Sequence, residues 1–466
     1  MLPKKILKKL PKDAYILSLS GYNAELMQLF RLGYKHLYAM GEGTIYDSPH
    51  YERIKYFYGK PSNTHFPDSF FDFMYATNLA DVVLPEAERI LSSKGILLVK
   101  EMGGFKWAEF TASKKNAKPP KRINVVLPTL GRFEGIAHTT NNMKRNLEKA
   151  GVAVDLYKTV SQAPKEYPTI LEYESSLNVE LPVDRKLIIE LHNYTLTSVD
   201  VSLKRILTDP HYDAWFIRSI IEKLMTNPRY FLWLVHAFIS KSVLPSKTGK
   251  ILALSQSDNP AFLLLARSNE LAEAAKLRKY YLMPHCVVEA PEGQRKQDPG
   301  APLFIGSFGF AAHYKDFQTF CEVATRLNIP ALLLLSINHL QSSAIRDTRK
   351  YANALKEKYD GVGKLKVEIG NFSEDELRER LSPCTHLMAF QHEVFNISSS
   401  MRFMASFGKP IIANNVYQAR EAQVIRVNDP GEITVEFLEK TRGRLTNMVD
   451  GTRFLLKFLA MVGDWR

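Results

Sequence analysis

Three consecutive serines, Ser398, Ser399 and Ser400, follow Asn396 in the stretch FQHEVFNISSSMRFMASFGKPIIAN, where a helix-like segment begins. Hydroxyl and amide side chains there cap a helix, and the free N–H groups and dipole of its first turn favour an anion. Capping needs one serine, so three of them with Asn396 suggest a seat for a phosphate. Arg402 either adds charge to that seat or lies on the helix surface.

Two histidines are candidates for proton transfer. Leu187 to Leu191 reads as a strand ending at His192, and ligands of open α/β sheets collect at the carboxyl ends of strands, so a neutral His192 could take a proton from an acceptor hydroxyl. His138, at the start of the helix after the loop PTLGRFEGIAH, competes for the same role. For each, a hydrogen-bonded structural histidine is the other reading.

Strand-like apolar runs alternate with helix-like stretches nearly throughout, which predicts an α/β protein of parallel sheets covered by helices. At 466 residues the chain exceeds one core and suggests about three domains. The stretch SKKNAKPPK, residues 113–121, lacks apolar periodicity and reads as a linker between two α/β blocks. Ile251 to Ser255 reads as a further strand. The aromatic segment Trp215 to Ile239 reads as helix, either packed in a core or open to a lipid-linked acceptor.

Hydrophobic residues make up 45% and charged residues 24%, so disorder and collagen-like repeats are excluded. The net charge of +13 suits anionic partners. Lys4, Lys5, Lys8, Lys9 and Lys12 cluster at the start, and Lys114, Lys115, Lys118, Lys121 and Arg122 form a second group. Such patches could hold the protein peripherally against an anionic membrane. Three scattered cysteines, and no apolar stretch of signal-peptide or membrane-spanning kind, lead to a cytoplasmic expectation, with the inner membrane face as a further option. No aspartate-based metal motif stands out.

Residues 1–112 contain FPDSFFDFMYATNLADVV followed by EAERILSSKGILLV, which resembles the second half of a class I S-adenosylmethionine-dependent methyltransferase. The family's first turn needs an acidic residue and glycines, because the cofactor approaches the backbone closely. This chain reads ILSLSGYNAE there, with Ser18 in place of the acid and Ser20, Tyr22 and Ala24 in place of the glycines. The expectation is a degenerate module that no longer binds the methyl donor.

From residue 122 onward the order of elements resembles the two-lobed GT-B glycosyltransferases, of the family 4 kind. The resemblance implies an acceptor lobe over 122–285, a nucleotide-sugar donor lobe over 286–450 and a closing helix over 451–466 that crosses back onto the first lobe. The fold expected is thus two Rossmann-like lobes preceded by a smaller methyltransferase-type domain. The donor loop is GSFGFAAHYKDF: Gly306, Ser307 and Gly309 admit the backbone to the phosphates, and Lys315 resembles the basic residue these enzymes aim at the diphosphate. Phe372 falls where the base or ribose is met. Retaining families often carry two glutamates around the helix start, but here Phe395 and Phe403 align with them, and Glu393 is the nearby carboxylate that could contact sugar hydroxyls.

The function implied is transfer of a sugar from a UDP- or GDP-sugar to a glycan, lipid-linked or protein acceptor, without a required cofactor or metal. The alternatives are a bifunctional methyltransferase and glycosyltransferase, or a non-catalytic protein that binds glycans or nucleic acid.

Overall fold

The computed structural model describes residues 2–41, 54–58, 66–78, 82–100, 107–111, 118–127, 135–174, 187–192, 300–337, 342–392, 399–414, 424–444 and 450–463, with short pieces at 61, 64, 265–266, 281–282, 284 and 286–287. The expected elements at Trp215–Ile239 and Ile251–Ser255 lie outside these residues, as do Glu393, Asn396 and Ser398. The chain divides into two compact units. Unit one comprises Met1–Leu130, Met143–Cys286 and Val449–Arg466, and unit two comprises Gly131–Asn142 and Val287–Met448. The linker expected at 113–121 therefore separates two sheets of unit one.

The first sheet of unit one is built from α1 (Lys4–Leu7), β1 (Tyr15–Ser18), α2 (Ala24–Arg31), β2 (His36–Gly41), β3 (Ile54–Tyr58), β4 (Phe71–Ala76), α3 (Leu84–Ile90), β5 (Leu91–Lys100) and β6 (Trp107–Thr111). Its strand order is β3-β2-β1-β4-β5-β6, parallel except for β6, the order of an open doubly wound sheet. The central strands YILS, HLYAMG and FDFMYA are nearly continuous apolar runs because parallel strands are covered on both faces. Asn23 starts α2 by accepting from Leu26 N at 3.0 Å, and the helix buries Leu26 and Leu29, one turn apart.

The second sheet comprises β7 (Arg122–Val126), α4 (Gly135–Lys149), β8 (Ala153–Tyr157), β9 (Thr169–Glu174) and β10 (Leu187–His192). It is parallel, in the order β10-β9-β7-β8. A two-residue pair, β11 (Leu265–Ala266) and β12 (Tyr281–Leu282), follows.

Unit two carries β13 (Ile305–Phe310), α5 (Phe317–Leu327), β14 (Ala331–Ser336), α6 (Ser342–Tyr359), β15 (Leu365–Gly370), α7 (Glu374–Leu381), β16 (His386–Met388), α8 (Ser399–Ser406), β17 (Ile411–Asn414), β18 (Ile425–Val427) and α9 (Val435–Thr441). All six strands are parallel in the order β15-β14-β13-β16-β17-β18. Alternation along β14 builds the two cores. Leu333 and Leu335 join one cluster with Phe320 and Ile412, while Leu332 and Leu334 join the other with Leu381 and Phe407.

The last helix, α10 (Thr452–Gly463), belongs to unit one. Expected on the second sheet's lobe, it meets that lobe at its first turn, where Thr452 Oγ1 accepts from Asn146 Nδ2 at 2.8 Å. Its larger contact is with the first block. Phe454, fully buried, sits 4.3 Å from the ring of Phe70 and 5.7 Å from that of Phe66. Arg453 lies over Tyr15 at 3.7 Å and pairs with Asp72 at 3.3 Å. An aromatic anchor settles where an apolar receptacle exists, and the first block supplies it.

Candidate functional site

In unit two the strand order reverses between β13 and β16, the place where open α/β sheets hold ligands at their carboxyl ends. The two strands are in register over Ile305–His386 and Gly306–Leu387, and part before β13 ends at Phe310. From this point the chain after β13 enters the short turn His313–Lys315, and α8 is the next described helix after β16.

Lys315 and Ser400, 85 residues apart, meet across it: the Lys315 ammonium donates to Ser400 Oγ at 2.7 Å. Lys315 is buried, at 6% exposure, and burial alone pulls its pKa from 10.5 down to about 8. Ser400 is its one hydrogen-bond partner among the described residues, so a group with three donors keeps capacity for an anion. Ser400 is the second residue of α8, whose dipole adds positive potential at the same spot.

The turn is held by Asp316, which takes a left-handed conformation (φ 31°, ψ 47°) and caps α5, its Oδ2 accepting from Thr319 Oγ1 at 2.7 Å. Asp tolerates this conformation better than most side chains. Gly309 makes room: a Cβ there would lie 2.8 Å from Lys315 Nζ and 3.2 Å from the Phe317 ring.

The other expected donor-loop residues have inward roles. A Cβ on Gly306 would stand 2.6 Å from Cys384 Sγ, so this glycine serves close packing of β13 on the core. Ser307 is buried and donates to the Met388 carbonyl at 2.7 Å, tying β13 to β16. Phe372 is buried in the core that holds Leu381 and Phe407, with the Arg380 guanidinium 5.2 Å from its ring. Arg402 is 6% exposed, which removes the surface reading and leaves a buried cation on α8. Phe403 packs against Phe308 at 5.1 Å and Phe407 at 5.4 Å, so that position is core.

Of the remaining candidates, Ser399 opens α8, His138 lies in the first turn of α4, and His192 is the last residue of β10. The sequence reading missed one clasp. Gln391 N donates to Asn414 Oδ1 at 3.0 Å, and Asn414 Nδ2 donates back to Gln391 O at 2.6 Å. It joins the chain just past β16 to the end of β17. The polar residue closing the apolar run IIAN was its signal.

The first block shows a filled turn after β1. Ser18 Oγ donates to Gly21 O at 2.7 Å and accepts from Asn23 Nδ2 at 3.2 Å, while Asn23 Oδ1 accepts from Tyr75 at 2.8 Å. Ser20 Oγ accepts from Thr77 N at 2.8 Å, and the Tyr56 hydroxyl stands 2.8 Å from where a Cβ on Gly41 would be. Among the described residues no group of three or more His, Cys, Asp or Glu side chains is arranged to hold a metal, and no helix is long and apolar enough to cross a membrane.

No family model matches the chain, and no curated protein matches it. Several solved structures are loosely similar. AviGT4, a glycosyltransferase involved in avilamycin A biosynthesis, is 10% identical over 74% of this chain and 96% of its own, with a TM-score of 0.42. Sucrose-phosphate synthase from Thermosynechococcus elongatus is 12% identical over 74% and 98%, with a TM-score of 0.41. The trehalose-6-phosphate synthase OtsA is 10% identical over 74% and 96%, with a TM-score of 0.40.

Proposed function

We propose that the protein is a GT-B glycosyltransferase that moves a sugar from a UDP- or GDP-sugar to an acceptor hydroxyl. One observation carries the reading: the buried Lys315 ammonium held on Ser400 at the strand-order reversal of unit two. When a nucleotide-sugar reacts, its diphosphate leaves with growing negative charge, and stabilisation is largest from fixed charges and dipoles in a water-poor site. Lys315 and the amino end of α8 are such a pair, and with them neutralising the leaving group, transfer proceeds without a metal. Gly309 lets Lys315 reach its place, and Arg402 adds a second buried cation on the same helix.

His192 or His138 would take the acceptor proton, and Glu393 would contact sugar hydroxyls. The acceptor is a glycan, lipid-linked or protein hydroxyl, and the reaction belongs in the cytoplasm. The hydrogen-bonded cluster of Ser18, Asn23 and Tyr75 favours a first block that serves as a structural module without a bound methyl donor.

A thermal-shift screen of nucleoside diphosphates, their sugar conjugates and S-adenosylmethionine, on wild type and Lys315→Ala, tests this, because a ligand that prefers the folded state raises its melting point. A diphosphate series that stabilises wild type and not the variant supports the donor site and names the base. Stabilisation by S-adenosylmethionine alone, or by nothing, overturns it.

A further inference from the structure

The lysines at the start of the chain gain neighbours that the sequence does not place beside them. Lys4, Lys5, Lys8, Lys9 and Lys12 are all exposed. The segment carrying them folds back on the turn between α2 and β2. There the Lys12 ammonium donates to Leu32 O at 2.6 Å, Lys35 N donates to Lys12 O at 3.1 Å, and the Tyr34 hydroxyl donates to Leu7 O at 2.8 Å. These bonds bring exposed Arg31 and Lys35 to the same face. Across residues 2–14 and 31–36, Asp13 is the one acidic residue. His36, at the edge of this face, adds no charge near neutrality, since burial and the nearby Lys55 and Arg453 hold its pKa down to about 4.

The face also has an apolar point. Leu32 is 43% exposed among the cations, whereas Tyr34 is 4% exposed, with Lys12 over its ring at 4.2 Å. Nucleic acid would favour arginine forks and open aromatic rings on which bases stack. Here six of the seven cations are lysines, point charges on flexible stems, and the face's tyrosine is covered. Lysines around an exposed leucine suit a headgroup layer, where charge meets lipid phosphate and the leucine enters the interface. The patch precedes β1 and β2, so it lies at the amino ends of those parallel strands, away from their carboxyl ends.

We infer that this face of the first block docks the protein on an anionic lipid surface. The contact needs no donor site in unit two, so it stands or falls separately from the transferase reading. Each basic residue near an anionic leaflet strengthens binding roughly fivefold. Reversing four lysines therefore costs at least about a hundredfold.

The test is co-sedimentation of the full-length protein with vesicles of phosphatidylcholine alone and of phosphatidylcholine mixed with phosphatidylglycerol, at low and high salt. The variant reverses Lys4, Lys5, Lys8 and Lys9 to Glu, exposed positions whose change should leave the melting point near wild type. Binding to the mixed vesicles that fades with salt, and that is lost in the variant and in Leu32→Glu at moderate salt, supports the inference. It is overturned by equal binding to neutral vesicles, by no binding to anionic ones, or by a variant that binds like wild type. Binding of an oligonucleotide through the same lysines with none to vesicles also overturns it, and gives the face to nucleic acid.

Discussion

The Lys315 ammonium lies 2.7 Å from Ser400 Oγ, joining the loop after β13 to the amino end of α8 across the point where strand order reverses. The buried charge is costly without an anion. Its pKa of about 8, against 10.5 for an unperturbed lysine, means that the folded state holds the proton less tightly than the unfolded chain does. Folding is penalised most below pH 8, and stability rises as pH climbs toward 10.5, by an amount of the order of 3 kcal/mol.

Lys315→Met removes the charge and keeps most of the volume. The expected outcome is a melting temperature at pH 7 a few degrees above wild type, together with loss of any rise caused by UDP or GDP. Differential scanning calorimetry with and without the nucleotide reads both. A variant that melts lower and still responds to the nucleotide would remove Lys315 from the anion site.

Anion binding should depend on pH through the same group. Because the free ammonium titrates at about 8, the diphosphate affinity falls about tenfold per unit above that pH, until the pKa of the bound state is reached. Titration calorimetry near pH 8.5 in buffers of different ionisation heat should show proton uptake on binding. Lys315→Arg, which stays charged, should flatten the profile, and an unchanged profile would point to another titrating group.

Two glycines of β13 separate positioning from packing. Gly309→Ala places a methyl 2.8 Å from Lys315 Nζ at a backbone φ of 155°, so it should displace the ammonium and weaken nucleotide binding by at least about tenfold. Gly306→Ala meets Cys384 Sγ at 2.6 Å, so it should lower stability while leaving the thermal response to nucleotide in place. Melting curves with and without nucleotide distinguish the two.

Helix α10 should hold the first sheet together. Phe454 is fully buried against Phe66 and Phe70, so Phe454→Ala should cost roughly 3–5 kcal/mol and expose β1 and β4 to hydrogen exchange. Loss of protection confined to α10 itself would show that the first block stands without it.

The alternation of apolar runs and helices was legible in the sequence because parallel strands leave near-continuous apolar stretches such as ALLLLS in β14. Lys315 and the serine-rich helix start could each be singled out from residue type and position. Their meeting could not, since local spacing says nothing of residues 85 apart. Gly306 and Gly309 look alike in sequence; only the packed strand shows that one faces Cys384 and the other Lys315. Phe372 follows a strand, as a ligand-facing residue would, yet an aromatic ring beside an open core position is drawn inward. The landing of α10 on the first block was hidden for a related reason: periodicity reveals an apolar face but not which receptacle covers it.

His386 provides a last test, on the stability of unit two. It is fully buried at the start of β16, with Nδ1 3.0 Å from Thr385 Oγ1 and Nε2 3.3 Å from Thr441 Oγ1. Burial lowers its pKa from 6.5 to about 4. The unfolded chain therefore binds the proton more readily, and stability present above pH 6.5 is lost as pH falls from 6.5 through 4. Between pH 7 and 4.5 this one group accounts for a loss of the order of 2 kcal/mol. His386→Asn keeps a polar side chain between the two threonines and cannot titrate. Urea unfolding at the two pH values should show the variant less stable than wild type at pH 7, with the gap narrowed by that amount at pH 4.5. A constant gap would mean that the imidazole titrates alike in the folded and unfolded chain, and that the threonine pair accommodates its charge.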